Sequence, residues 1–172
     1  MVSRRPHYLR LMLPSFWLGL TKQQKKRQTV KILVLSMTLA VVLLFLNGLI
    51  GAYLEAKGVP LVNSKEYPLT KEKIPPVILF PLVNIFAFLE EWLFRAVLLE
   101  ELSISFRSRF VGLVTSSLLF GVFHLSNPGT YPILVLPLSF AGLLLGVAYL
   151  TWGFQCSVLT HCLYNSVLVI LG

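Results

Sequence analysis

The stretch IPPVILFPLVNIFAFLEEWLFRAVLL, residues 74–99, decides how this chain is read. Without Glu90, Glu91 and Arg95 it would read as one membrane-spanning helix, since about 20 predominantly apolar residues cross the hydrocarbon core of a bilayer. An acidic or basic residue near the bilayer centre costs about 2.5–3.5 kcal/mol on insertion scales. Three of them within six positions are tolerable only where they face a protein interior or a wet cavity. Pro75 and Pro76 mark the entry of this helix, where proline fits the first turn, and Pro81 predicts a kink one turn further in.

Outward from this segment, the rest of the chain is of the same kind. It has 172 residues, 56% of them hydrophobic and 13% charged, where a soluble domain carries about 25% charged. Four more apolar stretches stand beside Ile74–Leu99: Ile32–Leu54, Phe110–Leu125, Tyr131–Trp152 and Cys156–Leu171. The fold class is therefore all-α, a polytopic transmembrane bundle of about five spans with an N-terminal interfacial segment. Residues 1–31 form a basic segment and residues 32–172 the membrane domain, with its core over 75–172. Tyr8–Leu20, broken by Pro14, reads as the interfacial part, with Phe16 and Trp17 as anchors.

The formal net charge of +8 does not call for nucleic acid, because of where it sits. Eight of the fifteen Lys and Arg residues precede the first span, from Arg4 to Lys31, and Arg107 and Arg109 follow the second. That bias places the N-terminus in the cytoplasm, against anionic lipid, in a bacterial inner membrane or an organellar one. Ser3-Arg4-Arg5 resembles a twin-arginine signal, yet no small-residue cleavage site follows it. Cys156 and Cys162 are six apart on one helix, so neither a disulfide framework nor a zinc motif is indicated. Gly142 and Gly146 form a small-xxx-small pair, read as helix packing.

The polar residues inside the spans fall on three of them. Glu91 and Arg95 are i,i+4 and predict an ion pair on one helix face. Glu90 is rotated about 100° away, which predicts one carboxylate paired with arginine and one left free. His124 lies on the third span; His161 and Asn165 share a face of the fifth. Three accounts fit this set. Glu90 is a general base that activates water; or Glu90, His124 and His161 ligate zinc with an open position; or all are structural groups or a proton relay.

Glu90-Glu91-Trp-Leu-Phe-Arg95 resembles the EExxxR motif, Phe120-Gly-Val-Phe-His124 the FxxxH motif and His161-Cys-Leu-Tyr-Asn165 the HxxxN motif of the CPBP intramembrane proteases. That family takes in CAAX proteases and bacteriocin-processing enzymes and is related to the type 2 CAAX prenyl protease. The resemblance covers residues 75–172 and implies an intramembrane endopeptidase acting on a membrane-anchored, lipidated or prenylated peptide. It implies that Glu90 and His124 activate the water, that His161 and Asn165 hold the oxyanion, and that Glu91 and Arg95 support them. It favours glutamate-dependent hydrolysis without a cofactor, zinc on Glu90, His124 and His161 being the alternative. The rival class is a non-enzymatic immunity or scaffold protein that uses its polar core to hold helices together.

Overall fold

The computed structural model describes residues 21–63, 65–70 and 72–171. The interfacial segment Tyr8–Leu20 and the basic residues before it lie outside the described residues. Within them the chain forms α1 (Lys22–Ala56), α2 (Pro76–Glu91), a π-helical segment (Trp92–Leu99), α3 (Glu100–Ser105), α4 (Arg109–Phe123), α5 (Val135–Trp152) and α6 (Phe154–Leu171), and no strand. The second to fourth of these run on as one rod, Pro76–Ser105, so five helical units are long and apolar enough to cross a membrane. The protein is an all-α transmembrane bundle.

Each helix boundary has a local cause. Thr21 opens α1 with a capping box: its hydroxyl accepts from the Gln24 amide and its own amide donates to the Gln24 side chain. The basic residues Lys22–Lys31 therefore belong to the same helix as the first span. At about 1.5 Å per residue, a helix of 35 residues exceeds the hydrocarbon core by several turns. Pro75 and Pro76 start α2 as the sequence predicts, and Pro81 sits inside a helix that stays continuous. Ser108 caps α4 by accepting from the Val111 amide. Gly153, at φ 92°, makes the tight turn between α5 and α6.

The bundle is held by small and polar residues, as expected where lipid removes the hydrophobic drive between helices. On α1 the buried residues are Ser36, Ala40 and Leu43, while Val34, Met37, Val41 and Phe45 face outward. Ser36 donates to the Cys156 carbonyl at 3.3 Å and Asn47 to the Tyr164 hydroxyl at 3.0 Å, tying α1 to α6. Asn84 and Ser166 join α2 to α6 at 3.2 Å. Gly142 and Gly146 do pack α5 closely on α4: an added Cβ would lie 3.1 Å from Ser117 Cα and 2.3 Å from Leu113 Cδ1.

A sharper contrast exists between two other glycines. A Cβ on Gly121 would stand 2.7 Å from the Val135 carbonyl oxygen, whereas one on Gly48 meets nothing within 4 Å. Gly121→Ala is expected to destabilise the bundle by about 1–3 kcal/mol through overpacking against backbone. Gly48→Ala is expected to be neutral or to stabilise by up to about 1 kcal/mol, since alanine is the better helix former. Thermal unfolding of the two variants in one detergent checks the pair.

Candidate active site

Glu90 and Glu91 are the last two residues of α2, and Arg95 lies within the π-helical segment that follows. A π-helical stretch bonds i to i+5 and often marks a functional site. Here it is braced from α4, where Ser116 Oγ donates to the Phe94 carbonyl at 2.6 Å. His124 stands at the C-terminal end of α4, and His161 and Asn165 are on α6. Five of the six residues singled out by the sequence meet in one cluster.

Glu91 and Arg95 are both fully buried, with Arg95 Nε 3.2 Å from Glu91 Oε2. The predicted ion pair is present. The guanidinium also lies over the Phe120 ring at 4.8 Å, a cation–π contact. Glu91 is bound twice more from α6: its Oε1 accepts from His161 Nδ1 at 3.0 Å, and its Oε2 accepts from the Ser157 hydroxyl. A buried carboxylate with this many partners is a structural anchor.

Glu90 differs in every respect. Its side chain is 21% exposed, and its Oε2 lies 3.8 Å from His124 Nε2 and 3.7 Å from His161 Nε2. These gaps are longer than hydrogen bonds. The expectation of one free carboxylate on a separate face needs correcting in one respect, because both carboxylates address the same imidazole. Glu91 takes the Nδ1 side of His161 and Glu90 faces its Nε2. A 100° rotation separates Cα–Cβ directions, and a long side chain can bend back across that angle.

The hydrogen bonds fix which ring nitrogens carry protons. A carbonyl only accepts, so His124 Nδ1, 2.8 Å from the Phe120 carbonyl oxygen, holds a hydrogen. An ionised Glu91 likewise makes His161 Nδ1 a donor. Each neutral imidazole therefore turns the lone pair of its Nε2 toward Glu90. Phe120 packs against both rings, at centroid distances of 4.8 and 5.9 Å, and fixes their planes.

Asn165 lies one turn further along α6 than His161, and its amide donates to the Val83 carbonyl at 3.4 Å. Ser157 is a site residue that sequence reading passed over, although it lies four positions before His161 and so shares its helix face. Among the described residues, no group of three or more His, Cys, Asp and Glu side chains is arranged to hold a metal ion. In the zinc alternative, Glu90, His124 and His161 are the residues that would hold the ion, Glu90 Oε2 standing 3.8 and 3.7 Å from the two Nε2 atoms; no step below is routed through a metal.

A family model described as Rce1-like, type II CAAX prenyl endopeptidase, matches residues 72–167. The matched segment contains all six of the residues named from the sequence. No curated protein and no solved structure matches the chain.

Proposed function

The chain belongs to the Rce1-like family of type II CAAX prenyl endopeptidases, and from that premise we propose that it is an intramembrane endopeptidase whose attacking water is activated by Glu90 and His124. The observation that carries this reading is a partly exposed carboxylate with one oxygen faced by two imidazole nitrogens at 3.7 and 3.8 Å. Gaps of that size suit a water shared between polar groups. The buried partners of Glu91, Arg95, His161 and Ser157, leave Glu90 as the carboxylate available for chemistry.

In the proposed reaction, the water oxygen bonds to the scissile carbonyl carbon while Glu90 takes one of its protons. His124 Nε2 accepts the second hydrogen as a hydrogen bond and sets the direction of attack. The carbonyl electron pair moves onto oxygen. Collapse of that tetrahedral species breaks the C–N bond, and the proton held by Glu90 passes to the departing nitrogen. Glu91 and Arg95 keep His161 oriented. Holding the oxyanion is the role that the family resemblance gives His161 and Asn165, and for His161 it requires a proton on Nε2.

The substrate is a peptide anchored in the bilayer, because Glu90 lies within a membrane-spanning rod. The direct test uses the purified full chain in mixed detergent–lipid micelles with an internally quenched peptide ending in farnesyl-cysteine and three further residues. Cleavage on the C-terminal side of the modified cysteine is the expected result. A preparation that binds the peptide yet leaves it intact returns the protein to the scaffold class.

We also propose the N-terminus as cytoplasmic, from the basic residues at the start of α1 together with Arg107 and Arg109. The turn after His124 and the α1–α2 loop share the other side of the bundle, so the site opens away from the cytoplasm. In sealed cells, Glu66→Cys is expected to react with a membrane-impermeant maleimide and Arg107→Cys only after permeabilisation. The reverse pattern inverts the topology and turns the mouth of the site inward.

A further inference from the structure

Glu91 serves His161 with one oxygen and is held by the other. Its Oε1 accepts from His161 Nδ1 at 3.0 Å, while its Oε2 accepts from the Ser157 hydroxyl and lies 3.2 Å from Arg95 Nε. Ser157 and His161 are four apart on α6, so the carboxylate spans one helical turn with an oxygen at each end of it. Ser157, Glu91 and Arg95 are all wholly buried.

The Ser157 hydroxyl has one hydrogen and two oxygens that could take it. The second is the Leu145 carbonyl of α5, 2.9 Å from Oγ. A mid-helix carbonyl already accepts from the amide four residues on, whereas a bond to an ionised carboxylate is roughly twice as strong as one between neutral groups. The hydrogen therefore goes to Glu91, and joining α6 to α5 is the lesser part of what this hydroxyl does.

Arg95 competes for the same carboxylate. Arginine and carboxylate pair best through two parallel N–H···O bonds, and that fork is not made here. The nearest approach is Nε to Oε2, and among the described residues neither Nη1 nor Nη2 has a hydrogen-bond partner, although both are buried. The guanidinium lies over the Phe120 ring instead. The last side-chain torsion of a glutamate is soft, so a carboxylate released from Ser157 is free to turn onto the guanidinium and leave His161 Nδ1 behind.

We propose that Ser157 is a positioning residue for His161: by holding Glu91 Oε2 on α6 it keeps the carboxylate from closing onto Arg95, and so fixes the hydrogen of His161 on Nδ1. The lock matters because the other ring nitrogen stands 3.7 Å from Glu90 Oε2. With Nδ1–H fixed, Nε2 of the neutral ring is bare and Glu90 Oε2 stays open to the proton of the attacking water. A proton that His161 gains later enters only at Nε2, where the oxyanion role needs it. Without the lock the neutral ring carries its hydrogen on Nε2 from the start, aimed at the oxygen that has to act as base. The effect on rate rests on the reading of Glu90 as that base; the lock itself does not.

The test reads the ring hydrogens by nitrogen NMR, on the full chain purified in micelles with isotope-labelled histidine. The chain has three histidines, and His161→Gln identifies the signals of the one in question. At about pH 8, where an ordinary imidazole is neutral, wild type is expected to show a protonated Nδ1 and a bare Nε2 at His161. Ser157→Ala should move most of that population to Nε2–H. It should also lower kcat on the farnesylated peptide by about 10–100-fold, the range shown by outer partners of functional histidines, with KM unchanged within about twofold. Ser157→Thr, which keeps the hydroxyl, should restore both readings. If the alanine variant does not insert, Ser157→Cys, close in size and only a weak donor, carries the same comparison. A His161 tautomer that stays on Nδ1 in the variant overturns the lock, whatever the melting temperature does, and leaves Ser157 as a tie between helices. A moved tautomer with kcat intact removes Ser157 from the reaction. If wild type leaves the peptide whole while the tautomer still moves, the Glu90 reading falls and the lock stands.

Discussion

Glu90→Gln is expected to lower kcat by about 10²–10⁴, the contribution of a positioned general base, while the protein inserts and folds as before. The amide has the shape of the carboxylate, but in place of a proton-accepting oxygen it offers a poor base. Its stability cost is small because Glu90 is partly exposed and its nearest imidazole nitrogens stand at 3.7 and 3.8 Å, beyond hydrogen-bond length. Steady-state cleavage of the farnesylated peptide and a thermal melt, both on purified protein, check the two halves of the expectation. Cleavage at the wild-type rate would remove Glu90 from the mechanism.

Arg95→Leu is expected to act in the opposite way, through the fold. It leaves Glu91 ionised and wholly buried, with its guanidinium partner at 3.2 Å gone. Breaking a buried ion pair by removing one member costs about 3–5 kcal/mol, a large part of the 5–15 kcal/mol that holds a typical protein together. Glu91→Gln strands the arginine in the same manner, and it also slackens the bond that orients His161. The double variant Glu91→Gln with Arg95→Leu should regain part of the lost stability without regaining activity. Unfolding midpoints in a fixed detergent for the three variants give the measurement. Single variants as stable as wild type would mean that water or another group satisfies the charge left behind.

The contrast between these neighbouring carboxylates was partly legible in the sequence. The five spans follow from length and hydropathy alone, because a bilayer filters for about 20 apolar residues. The Glu91–Arg95 pair follows from i,i+4 spacing, a local property of any helix. What the sequence does not reveal is tertiary. The bending of Glu90 back to His161 and the Ser157 bond to Glu91 each depend on how one helix meets another. The turn at 126–130 was readable from Asn127, Pro128 and Gly129, but its pairing with the loop before α2 joins positions more than sixty residues apart. No spacing rule reaches that far.

The π-helical segment Trp92–Leu99 has a mechanical consequence of its own. A wide turn of this kind is a helix with one residue to spare, and losing that residue would let the rod close into ordinary α-helix. Each residue of an α-helix advances by about 100°, so a one-residue deletion near Val97 would swing everything beyond it by that angle. Glu100 and Ser103, both buried now, would be swung out of their packing, while Glu90, Glu91 and Arg95 kept their bearings. The segment thus works as a clutch: it sets the phase between the half of the rod that carries Glu90 and Glu91 and the half that carries Glu100 and Ser103.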